Sequence, residues 1–153
     1  MFTIRKIICP TDFSEAALEG IEAAIAMAEK WEAELVLTYV VSPLPIMTGS
    51  SSLAGYHLPA MVDEMEQDAS AAIANLAADK IPSGLCCQTR ILRGKPAEEI
   101  SQLAATEKAD LIVIATHGES GLQRFLFGSV TERVVKIAHC PVLTIRPQRS
   151  PSR

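Results

Sequence analysis

The chain of 153 residues has no long apolar run, no surplus of positive charge and no paired-cysteine motif, and each absence removes a class of function. No stretch approaches the roughly 20 consecutive apolar residues that cross a bilayer. Behind the two basic residues of MFTIRKIICP the apolar stretch is only Ile7, Ile8 and Cys9, far short of a secretory core. No membrane insertion is therefore expected, and the protein is expected to be soluble and cytoplasmic. Lys and Arg number 14 against 18 Asp and Glu, a net charge of -4. Outside the short tail after Ile145 no basic face is suggested, so a role held by nucleic-acid phosphates is not expected. The four cysteines, Cys9, Cys86, Cys87 and Cys140, show no C-x-x-C spacing and are expected to be small core residues in a reducing compartment. Two nucleotide fingerprints are missing as well. RGKPAE contains Gly94 and Lys95, but Thr89 stands where a P-loop needs its first glycine and Pro96 where it needs Ser or Thr. No G-x-G-x-x-G is present, which counts against a dinucleotide site.

What is present describes a packed α/β domain. Hydrophobic residues make up 48% of the chain and charged ones 21%, the balance of a globular protein. The length suits one domain, over residues 1–147, followed by a polar tail at 148–153. KIICP (6–10), ELVLTYVV (34–41) and DLIVIAT (110–116) are short, β-branched and apolar on both alternating faces, as strands covered on both sides are. CCQTRILR (86–93) and CPVLTIRP (140–147) mix polar residues into the alternation, which suits strands at sheet edges.

Between these strands the apolar period becomes helical. Leu18, Ile21, Ile25 and Ala28 form one stripe, and Met61, Met65, Ala69, Ala72 and Leu76 a second. Ile100, Leu103 and Ala104 form a third, and Val130, Val134 and Ile137 a fourth. Pro96 with Glu98 and Glu99 fits a helix's first turn, and Ser129 with Glu132 reads as a capping box. Five strands alternating with four helices imply right-handed crossovers and an open parallel sheet. The Ser-, Pro- and Gly-rich connection at 42–60 is long enough to be either functional or disordered.

In an open parallel sheet, ligands bind beyond the carboxyl ends of strands whose connections diverge. The first strand ends in PTDFSE and the fourth in ATHGESGLQRFLFGS. Gly118 can let a backbone approach a ligand, and Gly128, Ser129, Val130 and Thr131 sit at a helix start where unpaired N–H groups hold phosphate oxygens. The hydroxyls of Ser129 and Thr131 can add donors. A simpler reading stays open: Ser129 caps its helix and the glycines make turns. Asp12 carries the same choice between holding a ligand and capping the first helix. His117 could act in catalysis, but with no acid or lysine partner in view it is read as orienting the loop.

CPTDFSE after the first strand, a second strand ending YVV, and A-x-x-G-x9-G-S before VTERVV…HCPVLTIRP together resemble the universal stress proteins over nearly the whole chain. The resemblance implies a Rossmann-like sheet of order 3-2-1-4-5 with helices on both faces, which makes the first and fourth strands neighbours. It implies a site for ATP with Mg²⁺ built from Pro10, Thr11, Asp12, Val40, Ala115, Thr116, His117, Gly118, Gly128, Ser129, Val130 and Thr131. Asp12 would contact the ribose or the adenine, Val40 would offer backbone bonds to the adenine edge, and Gly118 with Gly128 to Thr131 would hold the phosphates. Nucleotide-binding members carry glycine where this chain has Ala115. That departure is costly if the position needs a left-handed backbone and cheap if it is still strand. Glu119 stands where similar proteins are often basic, with Arg124 the nearest cation in sequence to offset it. The apolar edge near 141–146 implies a homodimer, and the family implies a stress-response regulator with an unknown protein partner and at most slow hydrolysis. The alternatives are a nucleotide-hydrolysing or nucleotidyl-transferring enzyme on the same fold, and a member that binds no nucleotide and acts through protein contacts.

Overall fold

The computed structural model describes residues 3–42, 58–116 and 127–147. His117, Gly118, Glu119 and Arg124, most of the 42–60 connection, and the 148–153 tail lie outside the described residues. In chain order the elements are β1 (Lys6–Pro10), α1 (Glu15–Trp31), β2 (Glu34–Val41), α2 (Leu58–Lys80), β3 (Cys87–Arg93), α3 (Pro96–Thr106), β4 (Leu111–Ala115), α4 (Ser129–Ile137) and β5 (Val142–Ile145). The five strands form one parallel sheet of order β3-β2-β1-β4-β5.

The two-residue alternation of each strand sorts its side chains to two cores. Ile7, Cys9, Leu35, Leu37, Leu111 and Val113 pack with Ile21, Ala24 and Ala28 of α1 and Ile73 of α2. Ile8, Val36, Ile112 and Ile114 pack with Ala97, Ile100 and Ala104 of α3 and Val134 of α4. Helices therefore cover both faces, and all five residues of β4 are buried. The strands with mixed alternation, β3 and β5, are the edges.

Three expectations need correction. Met61 is 46% exposed, and the residue of α2 most deeply buried in the core is Ile73. Counting by 3.6 residues from Ala69 reaches Met65 on one side and Ile73 on the other, so Met61 drifts off the face. The cysteines are not uniformly core residues. Cys9 is fully buried, and burial pushes its thiol up to about 12, but Cys86, just ahead of the edge strand β3, is exposed. Finally, the last helix begins one residue earlier than its capping box implied. Gly128 is the N-cap, Ser129 is the first helical residue, and no side chain caps this end.

At the amino ends of the strands a charged network ties four segments together. Lys6 Nζ lies 2.7 Å from Glu107 Oε2 and 3.1 Å from Glu34 Oε2, and Arg90 reaches Glu107 Oε1 at 3.6 Å. The Asp110 carboxylate accepts from the backbone N–H groups of Arg5 and Lys6 at 2.8 and 3.0 Å. The hydrogen bond from Lys6 holds the Glu107 carboxyl below its ordinary value, and the same bond raises Lys6. A carboxyl held low in the fold contributes stability that is fully present above its ordinary value and is lost as pH falls through its folded value. The stability difference between the wild type and Glu107→Gln should therefore hold steady near neutral pH and shrink below pH 4.5. Urea titrations at stepped pH would read this, and a difference independent of pH would refute the linkage.

Candidate functional site

β1 and β4 pair only through Ile7↔Leu111 and Ile8↔Ile112. Each strand stays bound to its outer neighbour much further along. β1 follows β2 to Pro10↔Thr38, after which the Thr11 N–H donates to the Thr38 carbonyl at 2.8 Å. β4 follows β5 to Ala115↔Ile145, after which the Thr116 N–H donates to the Ile145 carbonyl at 2.8 Å. The carboxyl halves of β1 and β4 are thus held apart by their partners. α1 leaves β1 toward one face and α4 leaves β4 toward the other, which is the arrangement that opens a crevice in doubly wound sheets.

The crevice is a pocket of about 340 Å³, within the usual range of small-molecule sites. Its wall brings together Pro10, Thr11, Asp12, Val40 and Ala115 with Gly128, Ser129, Val130 and Thr131. Thr116 is not on that wall. Its buried residue is tied into the strand end, and its carbonyl accepts from the Gly128 N–H at 2.5 Å. That bond joins the two ends of the glycine-rich connection. Sequence reasoning missed Ala17, Tyr39, Ser42, Pro96, Ile100 and Ile114, which complete the wall. Pro96 carried a usable signal, since proline at a first helical turn marks a helix start.

Helix N-termini supply the pocket's polarity. Ala17 lies in the first turn of α1, Pro96 opens α3, and Ser129 opens α4. The backbone N–H groups of Ser129, Val130 and Thr131 precede the first intrahelical donor of α4, Glu132, which bonds to Gly128. They are therefore open to an external acceptor. Among the described residues the wall contains no Lys, Arg or His, and Asp12 is its one charged side chain. Along β2 the Thr38 carbonyl points at β1, so alternation directs the Val40 carbonyl and N–H the same way, beyond the last rung to β1.

Two side-chain roles differ from the sequence reading. The Thr131 hydroxyl donates to the Ala115 carbonyl at 2.7 Å in a buried setting, so its proton is spent on joining α4 to β4. Asp12 does not cap α1. Ser14 does, accepting from the Ala17 N–H at 3.2 Å. Asp12 Oδ1 instead accepts from the Ser14 N–H at 3.0 Å and the Ser14 hydroxyl at 2.5 Å. Between them Phe13 has φ 64°, a left-handed backbone that a bulky residue adopts only under constraint. Its N–H donates to Thr11 Oγ1 at 3.0 Å, and its ring stacks on Tyr39 with centroids 5.0 Å apart.

Ala115 is ordinary strand. It pairs with Ile145 and is absent from the described non-glycine residues with positive φ. Its Cβ lies on the α1 side of the sheet, 3.7 Å from where a Cβ on Gly20 would stand. A methyl there carries no left-handed penalty, so replacing glycine by alanine is cheap at this position.

Thr131→Val keeps the shape of the side chain and deletes its donor, leaving the buried Ala115 carbonyl without it. A loss of about 1–3 kcal/mol is expected, read as a lower urea midpoint with unchanged slope, while Thr131→Ser stays near wild type. A Thr131→Val protein as stable as wild type would show that the bond is not a strut.

The model of the universal stress protein family matches residues 3–146. The chain is 39% identical over 142 residues to the universal stress protein MJ0531 of Methanocaldococcus jannaschii, covering 93% of this chain and 82% of that protein. Among solved structures, that of MJ0577 from the same organism matches with a TM-score of 0.83 at 28% identity, covering 97% of this chain and 99% of that one. A family protein from Arabidopsis thaliana, solved with AMP bound, matches with a TM-score of 0.61 at 20% identity, covering 97% and 96%.

Proposed function

The chain belongs to the universal stress protein family, and from that premise we propose that it binds ATP, carried with Mg²⁺, between β1 and β4 and acts as a dimeric cytoplasmic regulator of the stress response. The observation that carries this reading is the single pocket in which Asp12, Val40 and the open N–H groups of Ser129 to Thr131 meet. The N–H groups and the partial positive end of α4 suit phosphate oxygens. Apolar Val40, Ile100 and Ile114 suit a flat base, and Asp12 suits ribose hydroxyls. AMP in a relative of the same fold supports an adenine nucleotide. Mg²⁺ takes its ligands largely from phosphate and water, so Asp12 as the one carboxylate among the described wall residues is compatible with it. Gly118 and His117 complete the set that the family motif implies.

Binding is the activity, with hydrolysis slow at most. Phosphoryl transfer relies on cations placed against the developing charge, and none of the described wall residues is cationic. The strand geometry at Ala115 favours a binding member over one whose site has decayed.

Thermal denaturation with millimolar Mg-ATP is the direct test. A ligand at about a thousand times its dissociation constant stabilises the native state by ~4 kcal/mol, so an unchanged midpoint would sink the proposal. Ser129→Asp sharpens it. A carboxylate in the first turn of α4 favours the helix by about 0.3–1 kcal/mol but repels phosphate, so the free protein should melt no lower while the nucleotide-induced rise disappears.

The dimer forms along β5, whose four residues are all half-exposed. Pro141 and Ile145 direct their carbonyls to β4, so the backbone groups of Val142 and Thr144 face outward. Thr144→Pro removes an outward N–H and leaves the β4 ladder intact. Sedimentation should show a wild-type dimer and a Thr144→Pro monomer with unchanged circular dichroism; a monomeric wild type would refute pairing along this edge.

A further inference from the structure

The turn Thr11–Ser14 places a hydroxyl behind Asp12, the one charged side chain among the described residues of the pocket wall. Ser14 contributes both donors to the same oxygen of Asp12, one from its N–H at 3.0 Å and one from its hydroxyl at 2.5 Å. Two donors from different atoms of one residue leave the carboxylate little freedom about either of its side-chain torsions. The same hydroxyl accepts from the Ala17 N–H at 3.2 Å as the N-cap of α1. A hydroxyl has one proton to give and lone pairs to receive with, so Ser14 is engaged in both directions. The acceptor side is fixed to a 17-residue helix and the donor side to Asp12.

The backbone reversal at Phe13 makes this possible. Its left-handed φ of 64° turns Ser14 back over Asp12, and it is held by the Thr11 hydroxyl on one side and the Tyr39 ring on the other. Tyr39 and Asp12 both line the pocket. Strain kept in place by several independent contacts at a pocket rim is a mark of a site whose geometry is set before its ligand arrives.

We infer that Ser14 is a positioning residue that presets the Asp12 carboxylate for a ribose carrying its vicinal hydroxyls, and so sets the preference of the pocket for ribonucleotides. The inference rests on the nucleotide-binding reading above. A carboxylate can accept from two neighbouring hydroxyls at once, and it does so at lower entropic cost when its plane is fixed before they arrive. Ser14 touches no ligand in this scheme and acts wholly through Asp12.

The test is isothermal calorimetry on the full chain with Mg-ATP and with its 2′,3′-dideoxy analogue. Ser14→Gly removes the hydroxyl but leaves a residue well tolerated at an N-cap, and Ser14→Thr restores a hydroxyl. Wild type should favour ATP over the dideoxy nucleotide. Ser14→Gly should lose about tenfold in affinity for ATP while binding the dideoxy nucleotide as wild type does, and Ser14→Thr should recover most of the loss. Equal losses of Ser14→Gly on both nucleotides would mean that Ser14 serves only the fold, and no loss on ATP would mean that Asp12 is held without it. Either result overturns this inference with ATP binding intact. A wild type that binds both nucleotides equally overturns it too, since no ribose is then read. A wild type that binds neither removes the premise together with the inference.

Discussion

Beyond Ile8 and Ile112 the ladder between β1 and β4 stops, while each strand remains hydrogen-bonded to its outer neighbour for several more residues. That gap is the constraint on which the site depends. A parallel strand is committed to whichever neighbour satisfies its backbone, and Thr11 is committed to Thr38 as Thr116 is to Ile145. The two carboxyl ends cannot close on each other without breaking bonds to β2 and β5. The cores on either face reinforce the separation, because α1 must lie over one layer of side chains and α4 over the other.

The polarity of the crevice then follows from helix direction more than from side-chain charge. Every helix in a right-handed crossover begins at the carboxyl end of a strand, so helix N-termini gather where the ligand space is. At Ser129, Val130 and Thr131 the N–H groups stand ready without any cation on the described wall. A carboxylate in such a place needs its own support, which Ser14 provides. The hydroxyl of Thr131 serves a different end, holding α4 against the Ala115 carbonyl so that the open N–H groups keep their aim.

Much of this was legible in one dimension. Both central strand runs, KIICP and ELVLTYVV, coincide with β1 and β2, and the mixed alternation of β3 and β5 identified them as edges. Pro10, Asp12 and Val40 could be placed at strand ends, and Gly128 to Thr131 at a helix start, because those positions follow from period and punctuation. The failures have separate causes. Whether Ser14 or Asp12 caps α1 turns on the φ of Phe13, a tertiary accommodation to Tyr39 and Thr11 that no propensity encodes. Met61 carried the right chemistry for a core stripe but the wrong phase, and Cys86 the right chemistry but a place just ahead of an edge strand.

The sequence by itself determined the order of elements, the two-sided burial of the central strands and the family, because these reside in local periodicity and in motifs of neighbouring residues. The meaning of Ala115 was decided only in three dimensions. Its pairing with Ile145 shows that the chain is still extended there, and Gly20 on α1 leaves space for its methyl. Backbone conformation at a strand's end is set by whether a partner strand continues beside it, and that partner lies some 30 residues away along the chain.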